Sequence, residues 1–149
     1  GLDEMGEGKG TGFTVNLPLP SGTGDRQYAR LYRELVEPIG MAFGPEIGLV
    51  SVGFDPHALD PLAGMNVSER GFAEMTDVCV EIADACCNGK AVFVLEGGYD
   101  LNAIAGSSAD SSGCRFAARS CDSVMRTYPS RAAFMKKAIV RSASVLRSS

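Results

Sequence analysis

The sequence predicts an α/β fold, an open parallel sheet with helices on both of its faces. Short apolar runs occur at 12–20, 49–54 and 91–100, each too short to be a helix. Two stretches with helical spacing, about 25–43 and 68–88, separate them. The resulting order is strand, helix, strand, helix, strand. Alternation of this kind builds right-handed β-α-β units, in which successive strands lie parallel and helices cover the sheet.

Taken along the chain, GEGKGTG (6–12) comes first, a glycine loop. A phosphate cradle needs such a loop after a strand and opening a helix, so that helix N–H groups meet the anion. Here the loop precedes a strand, and neither the Walker spacing nor G-x-G-x-x-G is present, so it reads as a tight structural loop. GFTVNLPLP (12–20) is expected as a strand ended by prolines. In the helix from about Asp25 to Phe43, Leu31, Leu35, Val36 and Ile39 recur near helical spacing, with Arg30, Arg33, Glu34 and Glu37 elsewhere on the surface. Leu49, Val50, Val52 and Phe54 make the next strand. The second helix starts near Ser68, with Glu69 in its first turn, and stops at Asn88-Gly89. Phe72, Met75, Val78, Cys79, Ile82 and Ala83 form its apolar face. AVFVLEGGYD closes the alternation.

Two places carry chemistry. Asp55 ends an otherwise apolar strand, and an ionised carboxylate withdrawn from water is costly unless paired or bound to a metal. It either turns the chain, as Asp before Pro favours, or serves as a ligand or catalytic group. Parallel strands would bring 19–20, 55 and 96–99 to one edge, and open α/β sheets bind ligands outside the carboxyl ends of their strands. At that edge LEGGYD offers Gly97-Gly98, where backbone can approach a ligand, and the phenolic donor of Tyr99. The alternative for Tyr99 is a turn residue packed on the surface.

Composition bounds the rest. A chain of 149 residues is one domain or a piece of one, and its 45% hydrophobic and 21% charged contents are ordinary for a globular protein. Apolar stretches of the roughly 18 residues that suggest a membrane span are absent from the sequence. GLDEMGEGKG is acidic and Gly-rich, unlike a secretory signal peptide. Cys79, Cys86, Cys87, Cys114 and Cys121 are odd in number and include no C-x-x-C, so reduced thiols in a cytoplasmic protein are expected, not a disulfide framework or a structural zinc site. His57 is the sole histidine and is expected in an exposed loop. The net charge of −4 divides into −10 over residues 1–105 and +6 over 106–149. An acidic body of this kind is not a nucleic-acid-binding domain, though its basic tail could touch anions.

GEGKGTGFTVNLPLPSGTGD, SVGFDPHALDPLAGM and VLEGGYDLNAIA, in this order and spacing, resemble the C-terminal part of the zinc-dependent histone deacetylase family, which includes acetylpolyamine amidohydrolases and acetoin-utilisation proteins. The resemblance covers residues 1 to about 105 and implies an incomplete open parallel sheet of the arginase-deacetylase type. It assigns Asp55 to a zinc-ligating aspartate and Tyr99 to the donor that bonds the amide oxygen and its tetrahedral oxyanion. It places Asp60, Pro61 and Leu62 in the substrate-pocket loop beside the metal, and Gly97 and Gly98 along the substrate channel. Zinc would polarise the acetyl carbonyl and bring its bound water toward a pKa of about 7.

The family's other zinc ligands, in an Asp-x-His motif, and its tandem His-His base belong upstream of the matching segment. The resemblance therefore implies part of a zinc-dependent deacetylase acting on acetyl-lysine or acetylpolyamine, with Zn2+ bound only together with ligands this chain lacks and the isolated chain inactive. The alternative is a non-catalytic fragment acting as an interaction or regulatory module. Residues 106–149 depart from the family as a basic, Ser- and Arg-rich tail, which reads either as disorder or as a surface or partner-binding basic helix near 131–147 on which Met135, Ala138, Ile139, Ser142 and Leu146 could share a face.

Overall fold

A computed structural model describes residues 3–113. The tail helix read as one alternative near 131–147 and the thiols of Cys114 and Cys121 lie outside those residues.

Two parallel strands, β1 (Gly48–Gly53) and β2 (Ala91–Gly97), pair from Gly48 opposite Ala91 to Val52 opposite Leu95. A bulge then sets Gly53 opposite Gly97. Before the sheet, α1 (Asp25–Leu31) runs through a π-helical turn (Tyr32–Val36) into α2 (Glu37–Phe43). Helix α3 (Glu69–Cys87) is the crossover between the strands, and α4 (Leu101–Gly113) follows β2. The composition break at Gly106 thus falls inside a helix, where Ser107 is fully buried.

Tyr28, Phe54, Val67, Phe72 and Met75 form the core, with Val52, Tyr32 and Ile104 packed against it. Phe54 and Phe72 meet edge-on at 5.0 Å. The predicted face of α3 is confirmed in Phe72, Met75, Val78 and Ala83, which are buried, whereas Cys79 and Ile82 are half-buried. Asn88 ends α3 in the left-handed conformation at φ 56°, as its side chain tolerates. The start of α3 is capped from a distance. Asp25, at the first position of α1, accepts the Ser68 backbone N–H on Oδ1 (2.7 Å) and the Ser68 hydroxyl on Oδ2 (2.6 Å).

Three expectations need correction. Residues 13–20 form no strand, because a strand needs a partner ladder and no described segment pairs with them, while Pro18 and Pro20 lack N–H donors. Phe13 and Val15 accordingly stand 70% and 54% exposed. On the first helix, Leu35 and Ile39 lie outward, and the inward series is Tyr28, Tyr32 and Gly40, spaced by multiples of four through the π-helical turn. Gly40 matters there because a Cβ would come within 2.8 Å of Ile82 on α3. His57, expected to be exposed, is 3% exposed.

GEGKGTG does form a structural loop. A short 3-10 turn, Gly8–Gly10, is closed by the Gly12 N–H on the Met5 carbonyl at 2.7 Å. Among the described residues no helix is long and apolar enough to cross a membrane.

Candidate active site

Because β1 and β2 are parallel, the residues that follow them leave from one edge. Asp55 emerges two residues after β1 and Tyr99 two residues after β2. Two contacts tie the exits together. The Phe54 N–H donates to the Gly97 carbonyl at 2.9 Å, and a Cβ on Gly97 would lie 2.5 Å from Asp55 Oδ1. The glycine thus keeps the space into which the carboxylate fits. Asp55 itself is half-buried, and its carboxylate accepts no hydrogen bond from the described residues.

Gly98 follows at φ 115°, a left-handed conformation that strains any residue with a side chain, and a Cβ there would also meet Phe54 at 2.9 Å. This turn aims the next N–H, that of Tyr99, back at the β1 loop, where Asp60 Oδ2 accepts it at 2.7 Å. Asp60 is 6% exposed, and its Oδ1 accepts the Leu62 N–H at 3.0 Å. Beyond Tyr99, Asp100 Oδ1 accepts from the N–H groups of Asn102 and Ala103 and caps α4. The Tyr99 backbone is therefore held on both sides, while its side chain is 66% exposed. Pro61 and Leu62 are also exposed at the same loop.

The loop from Phe54 to Leu62 is knitted by its own backbone: His57 N–H to Phe54 O (3.0 Å) and Asp60 N–H to His57 O (2.9 Å). Bonds from Ala58 N–H to Val67 O and from Val67 N–H to Pro56 O clamp it to the segment before α3. His57 is part of this frame. Its ring stacks on Phe72 at an interplanar angle of 5°, and its Nδ1 accepts the Leu59 N–H at 3.1 Å. With Nδ1 occupied as an acceptor, the proton of the neutral ring belongs on Nε2, which lies 3.4 Å from Glu69 Oε1 without hydrogen-bond alignment.

Sequence reasoning missed Tyr28. It is 7% exposed, and its buried hydroxyl has no hydrogen-bond partner among the described residues. Burial, and then the negative charge of Asp55, hold its phenol above the ordinary tyrosine range. The signal was present only as a tyrosine four residues before Tyr32, a spacing that fits one helix face.

A zinc centre of this family type needs a set of ligands, and catalytic zinc sites generally have three from the protein. Among the described residues no group of three His, Cys, Asp or Glu side chains is placed to hold a metal. Asp55 is one half-buried carboxylate, and the described residues do not by themselves fit a complete zinc site.

An open parallel sheet with a crossover helix, and with a carboxylate and a phenol leaving its carboxyl edge, defines part of an α/β domain with a candidate site at that edge. The family model for the histone deacetylase domain matches residues 1–112, and the chain belongs to that family. It is 41% identical over 110 residues to histone deacetylase 14, chloroplastic, of Arabidopsis thaliana, covering 74% of this chain and 26% of that protein. To a probable deacetylase of Archaeoglobus fulgidus it is 44% identical over 99 residues, 66% of this chain and 28% of the relative. The chain thus spans about a quarter of the length of these relatives. The crystal structure of the HDA15 HD domain superposes with a TM-score of 0.69 at 30% identity, covering 92% of this chain and 41% of that one. The fold is accordingly an incomplete α/β deacetylase fold. Incompleteness is visible in the sheet itself, where Leu49 and Val92, paired on one face, are 73% and 45% exposed.

Proposed function

We propose that this chain supplies the carboxyl-edge half of a zinc-dependent deacetylase site that hydrolyses acetyl-amides of lysine or polyamine type. Asp55 is its metal-binding carboxylate, and Tyr99 donates its phenolic proton as a hydrogen bond to the substrate carbonyl oxygen. Leu62 and Pro61 with Gly97 and Gly98 border the substrate, and the remaining zinc ligands and the base come from outside the chain. The observation that carries this reading is the convergence of Asp55 and Tyr99 at one sheet edge, with their backbones hydrogen-bonded or spaced by Gly97 and Gly98. Tyr99 acts on an oxygen that gains negative charge as the carbonyl is attacked. A donor aimed at developing charge favours the transition state over the ground state and so raises kcat more than it lowers KM.

The test restores the missing part by grafting residues 1–112 in place of the matching segment of the archaeal relative. Tyr99→Phe in that graft should lower kcat about a hundredfold or more with zinc content unchanged. Asp55→Asn should lose zinc and activity together. The ungrafted chain should bind zinc weakly and show no turnover. Full kcat in the metal-loaded Tyr99→Phe graft, or zinc-dependent turnover by the ungrafted chain, would refute the assignment.

A further inference from the structure

We infer that Asp60 is the positioning residue for Tyr99, a buried carboxylate that holds the backbone of the tyrosine turn against the β1 loop and so sets where the phenol points. The inference rests on the role proposed for Tyr99, but its structural half stands on geometry alone.

A buried carboxylate is expensive unless its oxygens are occupied, because it can only accept hydrogen bonds and loses water on both sides. Asp60 meets this requirement with two main-chain donors from different loops. Oδ1 takes the Leu62 N–H at 3.0 Å and closes its own turn, while Oδ2 takes the Tyr99 N–H at 2.7 Å across 39 residues. Charge-assisted bonds of this kind are short and strong compared with neutral pairs. Asp60 is itself held, since its N–H donates to the His57 carbonyl at 2.9 Å and His57 is stacked on Phe72. The chain of support therefore runs from Phe72 in the core through His57 and Asp60 to Tyr99.

That support is placed where it is needed. The peptide on the other side of Gly98 is fixed by the Phe54 bond to Gly97, and Gly98 between them has the freedom of a positive φ. A glycine pivot with one fixed end still swings. Fixing the Tyr99 N–H as well leaves little rotation about Gly98, so the exposed phenol projects from an anchored turn. Asp60 is 6% exposed and each of its oxygens accepts from a backbone donor, so its proposed effect is exerted through the turn.

Asp60→Asn and Asp60→Glu separate positioning from a general loss of fold. An amide keeps one acceptor but faces the second N–H with its own NH2, and glutamate keeps the charge but moves it by one methylene. In the 149-residue chain, amide exchange of Tyr99 followed by NMR should speed up at least tenfold in both variants. The amides of core residues such as Val78 should keep their protection. An unprotected Tyr99 amide in the wild-type chain, or parallel loss at Tyr99 and Val78, would overturn the inference.

In the grafted deacetylase, Asp60→Asn should lower kcat at least tenfold with KM and zinc nearly unchanged. The same substitution should have less than a twofold effect when Tyr99 is already Phe. Full additivity of the two substitutions would refute positioning through Tyr99 while leaving the role of Tyr99 intact. A Tyr99→Phe graft with full kcat would remove that role and leave only the backbone anchor.

Discussion

The Asp25–Ser68 cap links the helical layer to the strand crossover, and Asp25→Ala removes it. Both carboxylate oxygens are used, on the Ser68 N–H at 2.7 Å and the Ser68 hydroxyl at 2.6 Å, in part-buried surroundings. Hydrogen bonds to a charged group contribute about 1.5–3 kcal/mol each, and loss of an N-cap costs about 1 kcal/mol. The two bonds share one carboxylate and one serine, so their loss is less than additive, and about 3 kcal/mol is expected. Asp25→Asn keeps one neutral acceptor and should lose about half of that. Ser68→Ala removes only the hydroxyl bond and should cost about 1 kcal/mol. Urea unfolding of the purified chain followed by circular dichroism gives all three values, and the Asp25→Ala/Ser68→Ala cycle isolates their coupling, expected above about 0.5 kcal/mol. An Asp25→Ala variant within about 0.5 kcal/mol of wild type would refute the claim that α1 caps α3.

Two further outcomes follow from the packing. Burial pushes the Cys79 thiol up to about 11 from its ordinary value of 9, so the unfolded chain releases that proton first and stability falls as pH rises from 9 to 11. At about 1.4 kcal/mol per unit the loss approaches about 3 kcal/mol, and urea midpoints should fall less steeply over that range in Cys79→Ala; identical slopes would remove the thiol from the account. Gly97→Ala puts a methyl group 2.5 Å from Asp55 Oδ1, and should displace the carboxylate and cost about 1–3 kcal/mol through overpacking. Metal analysis of the grafted domain should then find reduced zinc, and unchanged zinc with unchanged stability would mean that Asp55 does not need the space.

The parts of the fold legible in sequence were those whose signals are local. The apolar runs at β1 and β2, the Ser68 start and the Asn88-Gly89 stop each follow from neighbours within a turn, and the structure reproduces them. The segment 12–20 had strand composition, yet a ladder is a property of two segments, and the second is not among the described residues. His57 sits among Asp, Pro and Ala in what reads as a surface turn. Its burial is decided by Phe72, fifteen positions on, and by the bonds that clamp the loop to Val67. Leu35 and Ile39 fit a helical stripe as well as Tyr28 and Tyr32 do, and the choice between stripes was made by the close approach of Gly40 to Ile82. Asp60 offered no signal of its place between two loops, because its Tyr99 bond spans 39 residues and obeys no spacing rule.

The carboxylates near the sheet edge differ in one respect that bears on the proposed site. Asp25, Asp60 and Asp100 each accept two hydrogen bonds, at least one of them from backbone N–H, and each closes or caps an identifiable turn or helix. Each of these carboxylates is thus held by structural donors. Asp55 has the same residue type and a similar loop position, but its carboxylate takes no hydrogen bond from the described residues. It lies close enough to the unpartnered buried hydroxyl of Tyr28 to raise that phenol's affinity for its proton. A buried polar group without a partner costs about 1–3 kcal/mol. Natural sequences tend to carry such costs at functional positions and to avoid them elsewhere. Asp55 with Pro56 does turn the chain, in the turn that the His57 N–H closes on the Phe54 carbonyl. That turn uses the Asp55 backbone and leaves its carboxylate without a donor among the described residues, which is the reason to look for the carboxylate's partner in a cation.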